Sequence, residues 1–279
     1  MAFVNLDRCH VFLNKRFIQF CLKIDTFIEL KIKSMSISKA ITLSFFILFS
    51  ISIAAQNDTL VIKPSGNQLQ GELIKPYTNK WKLTLIDGKG NKTPRGFWTD
   101  YGQNIQIDGV EYFHRVQDLY NAASKLTDTW TNMTELKSLR PVSFQRINPN
   151  GGYAFYQFNG NKVSVTSNFN KDKQIDTKEI ELKEPVFDWN LYGMLLVGLP
   201  MKEGRVVKLP FFDTNTNKLS WLIANIEKKE TLKLYGKRYR TWKITTNQKL
   251  VFWISQEKPY VIQLTLDLGN NSTLLWEAF

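Results

Sequence analysis

Apolar and polar residues alternate one by one along the C-terminal part of this chain. In residues 260–268 the apolar positions are Tyr260, Ile262, Leu264, Leu266 and Leu268. Successive side chains of a β-strand point to opposite faces, so a period of two indicates strands with one buried face. Shorter stretches at 219–226, 231–235 and 241–245 repeat the pattern. Several such segments at close spacing predict an antiparallel meander.

Further strands are predicted upstream of the meander. Asn159-Gly160-Asn161 separates two β-rich runs, Gly152–Phe158 and Lys162–Phe169, and an Asn-Gly pair in this position favours a tight hairpin. Two more strands are expected at Thr177–Lys183 and Val206–Phe212. Residues 105–119 are expected to be strand as well, although their apolar spacing also suits a helical stripe.

One short helix is predicted, at Asn190–Leu199. Asp188 or Asn190 would cap its N-terminus, and Pro200 would end it. Its apolar residues are expected to plug the sheet; they are Leu191, Met194, Leu195 and Val197.

A secretory signal peptide is predicted at residues 35–55. Lys39 is followed by an apolar run of 14 residues, Ala40–Ile53, and then by Ala54 and Ala55. A membrane-spanning helix needs about 20 apolar residues, which favours a cleaved signal with cleavage after Ala55. An uncleaved anchor is the alternative. Residues 1–34 look like an upstream extension, so the start is either Met1 or Met35.

Removal of residues 1–55 changes the composition of the chain. Both cysteines and His10 lie in the removed part, and seven of the 37 basic and three of the 25 acidic residues go with them, which leaves a net charge of +8. With no cysteine at the cleavage site, the exported protein is expected not to be a lipoprotein, and it has no disulfides. We therefore expect one β-rich periplasmic domain at 56–279, with its N-terminal strands in 56–134.

The motifs of common enzyme chemistries are missing from residues 56–279. His114 is the one histidine there, so no two-histidine metal site is possible, and no Gly-x-Ser-x-Gly sequence accompanies it. Phosphate-binding loops are absent, and the pairs Glu179/Glu181 and Glu227/Glu230 lie on faces that look solvated. We expect no catalytic residue, no metal and no cofactor. A hydrolase that uses two carboxylates is the weakest alternative.

Basic residues are concentrated between Lys228 and Lys243, where they alternate with aromatic residues in a predicted hairpin. Such segments bind single-stranded nucleic acid in some proteins. Because an exported protein rarely meets nucleic acid, an anionic membrane surface or lipid head group is the expected partner.

Three segments together resemble a known family. The first runs from Phe187-Asp188-Trp189 through the short helix to residues 198–204; the others are 230–244 and 251–268. In this order they resemble the domain of unknown function 3108 family of exported bacterial proteins, over approximately residues 135–279. The resemblance implies a mainly β fold, an antiparallel curved sheet or incomplete β-barrel with one short helix packed on or in it, similar to periplasmic lipoprotein carriers. It supplies no catalytic residues.

The sequence favours a non-enzymatic periplasmic binding protein. The 29 aromatic residues after position 55, and strands with apolar residues on both faces such as 153–156 and 251–254, suggest a sheet that binds a lipid, an acylated protein or another hydrophobic envelope component. The candidate lining residues are Trp189, Met194, Phe211, Trp221 and Trp253. The alternative is an envelope scaffold that contacts other proteins and has no small ligand.

Overall fold

A computed structural model describes residues 58–169 and 174–279. The predicted signal peptide and the upstream extension lie outside these residues. Sixteen strands of the described chain form one sheet. They are β1 (Thr59–Val61), β2 (Tyr77–Ile86), β3 (Lys92–Ile107), β4 (Val110–Asn121), β5 (Leu126–Glu135), β6 (Pro141–Ile147), β7 (Tyr153–Asn159), β8 (Lys162–Ser167), β9 (Asp176–Glu181), β10 (Phe187–Asp188), β11 (Val206–Asp213), β12 (Lys218–Leu234), β13 (Lys237–Thr246), β14 (Leu250–Ile254), β15 (Val261–Gly269) and β16 (Ser272–Ala278).

Two antiparallel meanders make up this sheet. Strands β11 to β16 follow one another, strands β2 to β9 follow one another, and β16 pairs with β2 to join the two series. This architecture confirms the predicted mainly β, curved-sheet fold. The early strands of the chain therefore belong to the same sheet as the C-terminal meander.

The sheet is not purely antiparallel. β1 and β10 both pair in parallel with the outer edge of β11, where Thr59 lies opposite Val206 and Phe187 lies opposite Phe211. A parallel neighbour requires a crossover connection, usually helical. Residues 189–205, which include the helix, supply that crossover between β10 and β11.

The two ends of the sheet meet without pairing. Phe211 and Phe212 on β11 pack into two different core clusters. The Phe212 ring lies 5.9 Å from that of Tyr156 on β7 and 6.0 Å from that of Phe158. β11 is therefore packed on both faces, one of them against the far half of the same sheet.

The helix α1 (Tyr192–Val197) fills the concave side of the sheet. Met194, Leu195, Leu196 and Val197 are at most 1% exposed and belong to the main core cluster, as does Leu191 just before them. The prediction that this segment plugs the sheet is confirmed. Within the described residues, no helix combines the length and hydropathy that crossing a bilayer requires.

The predicted bounds and cap of this helix are wrong. A 3-10 turn at Trp189–Leu191 precedes α1, and Leu191 is the N-cap residue without a side-chain hydrogen bond. Asp188 instead accepts a hydrogen bond from the backbone N–H of Asn190, with 3.1 Å between the Asp188 Oδ1 and the nitrogen. The carboxylate thus stabilises the 3-10 turn rather than the α-helix.

Residues 105–119 contain a turn that the spacing of their apolar residues did not indicate. Asp108 and Gly109 both have positive φ, 50° and 80°, and they connect β3 to β4. Two residues of positive φ form the type of turn that matches the twist of a hairpin, and Asp-Gly is a preferred pair for it. The prediction of strand is therefore confirmed on both sides of this turn, and the helical alternative is wrong.

Candidate functional site

An aromatic cleft of about 490 Å³ lies against the inner face of β5 to β9. The turn between β11 and β12 forms one wall, and the 3-10 turn at Trp189 and Asn190 contributes to the floor. Its aromatic residues are Trp130, Phe144, Tyr156, Phe169 and Trp189. Its volume is in the range of small-molecule binding pockets.

Ring contacts connect most of these aromatic side chains. The ring of Phe144 lies 6.3 Å from that of Trp130 and 5.5 Å from that of Tyr156. Trp189 packs on Phe211 with 4.6 Å between the ring centroids. Four of the five rings, all except that of Phe169, therefore pack against a neighbouring ring in the absence of a ligand.

Polar and charged groups surround the aromatic floor. Arg146 makes an ion pair with Asp128, at 2.6 Å, and its guanidinium lies 4.8 Å from the centre of the Phe169 ring. Lys178 and Asp176 form an exposed ion pair on β9, at 3.3 Å. The cleft thus has an apolar floor with polar groups around it, which suits a ligand that has an apolar part and a polar part.

Two buried polar atoms at the cleft make no hydrogen bond with the described residues. They are the Nε1–H donor of Trp130 and the Oδ1 acceptor of Asn217. Buried polar atoms nearly always have a partner. One donor and one acceptor on residues that line the cleft are therefore left without a protein partner.

Asp188 lies directly beside the floor residues and is fully buried. Its carboxylate accepts hydrogen bonds from the side chain of Asn132 and from the Asn190 backbone. Burial raises the pKa of Asp188 to about 6, and these hydrogen bonds offset only part of that effect. The carboxyl therefore changes charge in a mildly acidic range.

A buried ion pair holds the 3-10 turn at the floor of the cleft against the sheet. Arg115 on β4 binds the Asp100 carboxylate through two nitrogens, at 2.9 and 2.8 Å, and both side chains are at most 3% exposed. The third nitrogen of Arg115 donates to the carbonyl oxygen of Asn190, at 3.0 Å. Tyr77 donates its hydroxyl hydrogen to Asp100, at 3.1 Å, and the burial of Tyr77 raises its pKa well above the usual value.

The five residues predicted to line a ligand site do not form one group. Trp189 lines the cleft, and Phe211 supports it from behind. Met194 is 1% exposed in the core, where its sulfur lies 3.7 Å from the hydroxyl oxygen of Tyr77. The structure therefore brings together Trp189 and Phe211 and keeps Met194 in the helix core.

Trp221 and Trp253 lie on the outer faces of their strands. Next to Trp221 on β12 the buried residues are Leu222 and Ala224, so Trp221 points to the opposite face and is half-buried. On β14 the indole N–H of Trp253 donates to the Glu230 carboxylate at 2.7 Å. Neither tryptophan lines the cleft.

Sequence reasoning missed Trp130, Phe144, Tyr156 and the Asp100–Arg115 pair. Arg146 pairs with both Trp130 and Ala154 across strands, so only the register of β5, β6 and β7 brings these positions together. The one available signal was the run of apolar residues on both faces at 153–156, which includes Tyr156.

His114 lies elsewhere, beside a more open hollow of about 690 Å³ that also contacts Tyr77 and Gly102. Its ring nitrogen Nδ1 is 3.2 Å from the side-chain nitrogen of Gln103. Across residues 58–169 and 174–279, no three His, Cys, Asp or Glu side chains are grouped to hold a metal ion.

Comparison with known proteins identifies a family and a solved structure that resembles the chain. The family model described as "Protein of unknown function (DUF3108)" matches residues 104–275. The crystal structure of a protein described as a putative lipoprotein from Parabacteroides distasonis is 8% identical, with 74% of this chain and 94% of that chain covered and a TM-score of 0.33. No curated protein matches the chain.

Proposed function

The chain belongs to the DUF3108 family of proteins of unknown function, and we propose that it binds an amphipathic component of the bacterial cell envelope in the aromatic cleft. The role is binding rather than catalysis. The family resemblance noted in the sequence is confirmed, and it leaves the ligand to be inferred from the site.

The observation that carries the proposal is the contrast between the filled core and the cleft. Helix α1 occupies the concave side of the sheet, with Leu195 and Leu196 at most 1% exposed. The cleft keeps about 490 Å³ over a floor of aromatic rings. A hydrophobic ligand would therefore sit on Trp189 and its neighbours rather than among the core residues of the helix.

The lining of the cleft favours a ligand with an apolar body and a polar end. Aromatic rings provide large apolar area at low entropic cost. Arg146 and Lys178 each have a neighbouring carboxylate, so they would orient a polar or anionic group without adding a large unbalanced charge. A lipid or an acylated molecule of the envelope has this combination of parts.

The predicted signal peptide supports a location outside the cytoplasm. An exported protein with net charge +8 after cleavage meets lipids and other envelope components rather than cytosolic metabolites. The expected location is the periplasm.

A hydrolytic role has less support at this site. Glycoside hydrolysis needs two carboxyl groups facing each other across an open cleft. Of the described residues that line the cleft, Asp176 is the one with an acidic side chain, and it is paired with Lys178 at 3.3 Å. Asp188 is fully buried beside the floor. These two carboxyls therefore differ in access to a substrate.

The scaffold alternative would use an edge of the sheet, such as the one that β9 forms. In the described chain β9 is the last strand in the sheet order and pairs on one side with β8. Its edge carries Asp176, Lys178, Glu179 and Glu181. Charged residues on an edge strand discourage pairing with another chain, which makes this alternative the weaker one.

Extraction of the native protein tests the proposal. The protein is purified from its own envelope, extracted with organic solvent, and the extract is analysed by mass spectrometry. We expect a lipid or acylated molecule at close to one per protein, reduced in a Phe169→Ala variant, since Phe169 is a 40% exposed residue of the cleft. A clean extract, together with failure to bind a hydrophobic fluorophore, would contradict the proposal and favour the scaffold.

A further inference from the structure

Four exposed cations share one face of the β12–β13 hairpin. Residues that lie opposite each other in an antiparallel pair point to the same face, and Lys233 lies opposite Arg238 while Thr231 lies opposite Arg240. Lys229 lies opposite Trp242 on that same face. We call this surface, Lys229, Lys233, Arg238 and Arg240, the basic face.

The acidic residues of the hairpin do not neutralise the basic face. Glu230 binds Lys228 at 3.0 Å, and Glu227 binds Lys243 at 2.9 Å. Lys228 and Lys243 lie opposite each other on the other face of the ladder. Within residues 58–169 and 174–279, no ion pair involves any of the four cations of the basic face.

A hollow of about 420 Å³ adjoins the basic face. Its lining includes Arg238, Arg240 and Trp242, together with Ser255, Gln256 and Lys258 of the β14–β15 loop. Lys229 Nζ lies 5.7 Å from the centre of the Trp242 ring. Glu257 is the one acidic residue among the described residues that line the hollow. The hollow therefore combines cations, hydrogen-bond donors and an indole ring.

We propose that the basic face docks the protein onto the surface of a membrane that contains anionic phospholipids. Arginine and lysine near such a surface are attracted to its negative potential. Tryptophan is favoured at the level of the head groups, where its ring contacts apolar atoms and its N–H remains hydrated. The hairpin has both residue types on one face, and its cations are not committed to internal ion pairs.

The surface is distinct from the cleft of the proposed function. The turn that walls the cleft precedes β12, whereas the tip of the basic hairpin follows β12, a strand of 17 residues. None of the described residues lines both sites. Each proposal can consequently fail without the other.

Vesicle binding by the exported full chain tests the docking. Vesicles of phosphatidylcholine with and without phosphatidylglycerol are sedimented with the protein. We expect binding only to the anionic vesicles and weakening as salt is added. Arg238→Gln with Arg240→Gln should lower the partition coefficient about 30-fold, from the attraction per cation at an anionic surface.

A matched variant keeps the change in net charge the same. Lys89→Gln with Lys125→Gln removes two exposed cations from other turns, and its partition coefficient should stay within about twofold of the parent. Circular dichroism and thermal unfolding check that both variants fold. Equal losses in the two variants, or equal binding to vesicles without phosphatidylglycerol, would overturn the docking. Tighter binding to a single-stranded oligonucleotide, lost in the Arg238/Arg240 variant, would overturn it in favour of nucleic acid.

Discussion

Arg115 connects three parts of the interior through one guanidinium. It binds the Asp100 carboxylate, also held by Tyr77, and it donates to the Asn190 carbonyl oxygen beside the cleft floor. A buried pair of this kind adds little stability over a well-packed apolar pair, but removal of one partner leaves the other charge buried alone. In this protein the Asp100–Arg115 pair fixes the 3-10 turn against β4.

We expect Arg115→Leu to lower the free energy of unfolding by about 3–5 kcal/mol, because Asp100 would remain buried without its partner. Urea unfolding followed by tryptophan fluorescence measures the change. The matched control is Lys162→Ala, which breaks an exposed ion pair with Glu179 whose side chains are 48% and 61% exposed. That variant should change stability by less than about 0.5 kcal/mol. Similar values for both variants would contradict the role given to Arg115.

Asp188 lowers the stability of the folded protein by an amount that increases with pH. Its pKa is raised from 3.8 to about 6, so the folded state holds the proton more tightly than the unfolded state between these values. The contribution of Asp188 to stability is therefore most favourable below about pH 4 and is lost as pH rises towards 6. A shift of this size corresponds to about 3 kcal/mol at neutral pH.

Asp188→Asn should remove this loss of stability at neutral pH. The oxygen of the new amide can still accept from the Asn190 N–H. Asn132 can turn its amide so that its Oδ1, which has no hydrogen-bond partner among the described residues, accepts from the new side chain. Relative to the parent, the variant should gain about 2 kcal/mol in unfolding free energy between pH 4 and pH 7, measured by urea unfolding at both values. Parallel pH profiles would show that the carboxyl is not perturbed.

Helix α1 is the element on which the core depends. Leu195 is 1% exposed, and it packs in the main cluster together with residues from strands of both meanders. We expect Leu195→Ala to lower the free energy of unfolding by about 2–5 kcal/mol, the usual range for an enclosed leucine. Leu268→Ala is the matched control, because Leu268 is 50% exposed, and it should change stability by less than about 0.5 kcal/mol. A loss below about 1 kcal/mol for Leu195→Ala would mean that the core tolerates a cavity there.

Strands were predictable from local pattern wherever one face is buried. The alternation at 260–268 and the Asn-Gly turn near residue 160 correspond to β15 and to the β7–β8 hairpin. For 105–119 the pattern correctly predicted strand but did not predict the Asp108-Gly109 turn, across which the apolar residues are spaced. It also missed the parallel pairing of β10, because two residues are too few to show a period.

The cleft as a whole could not be predicted from the sequence. Its floor combines Trp130, Phe144 and Tyr156 with Trp189, which comes from a different part of the chain. These residues meet only because the sheet curves until β11 packs against β7, as the Phe212–Tyr156 contact shows. A tryptophan on a strand gives no local sign of which face it will take, so Trp221 and Trp253 could not be separated from Trp189 by sequence alone.

The most direct test of the proposed binding site is a fluorescence titration with 1-anilinonaphthalene-8-sulfonate, which carries an apolar ring system and one anionic group. The parent and Trp253→Ala should bind the probe with affinities within about twofold, because Trp253 lies on the outer face and bonds to Glu230. Trp189→Ala should bind it at least about tenfold more weakly, since the mutation removes a large ring from the cleft floor. Circular dichroism confirms that each variant is folded. Equal affinity of the parent, Trp189→Ala and Trp253→Ala would contradict the assignment of the cleft as the binding site.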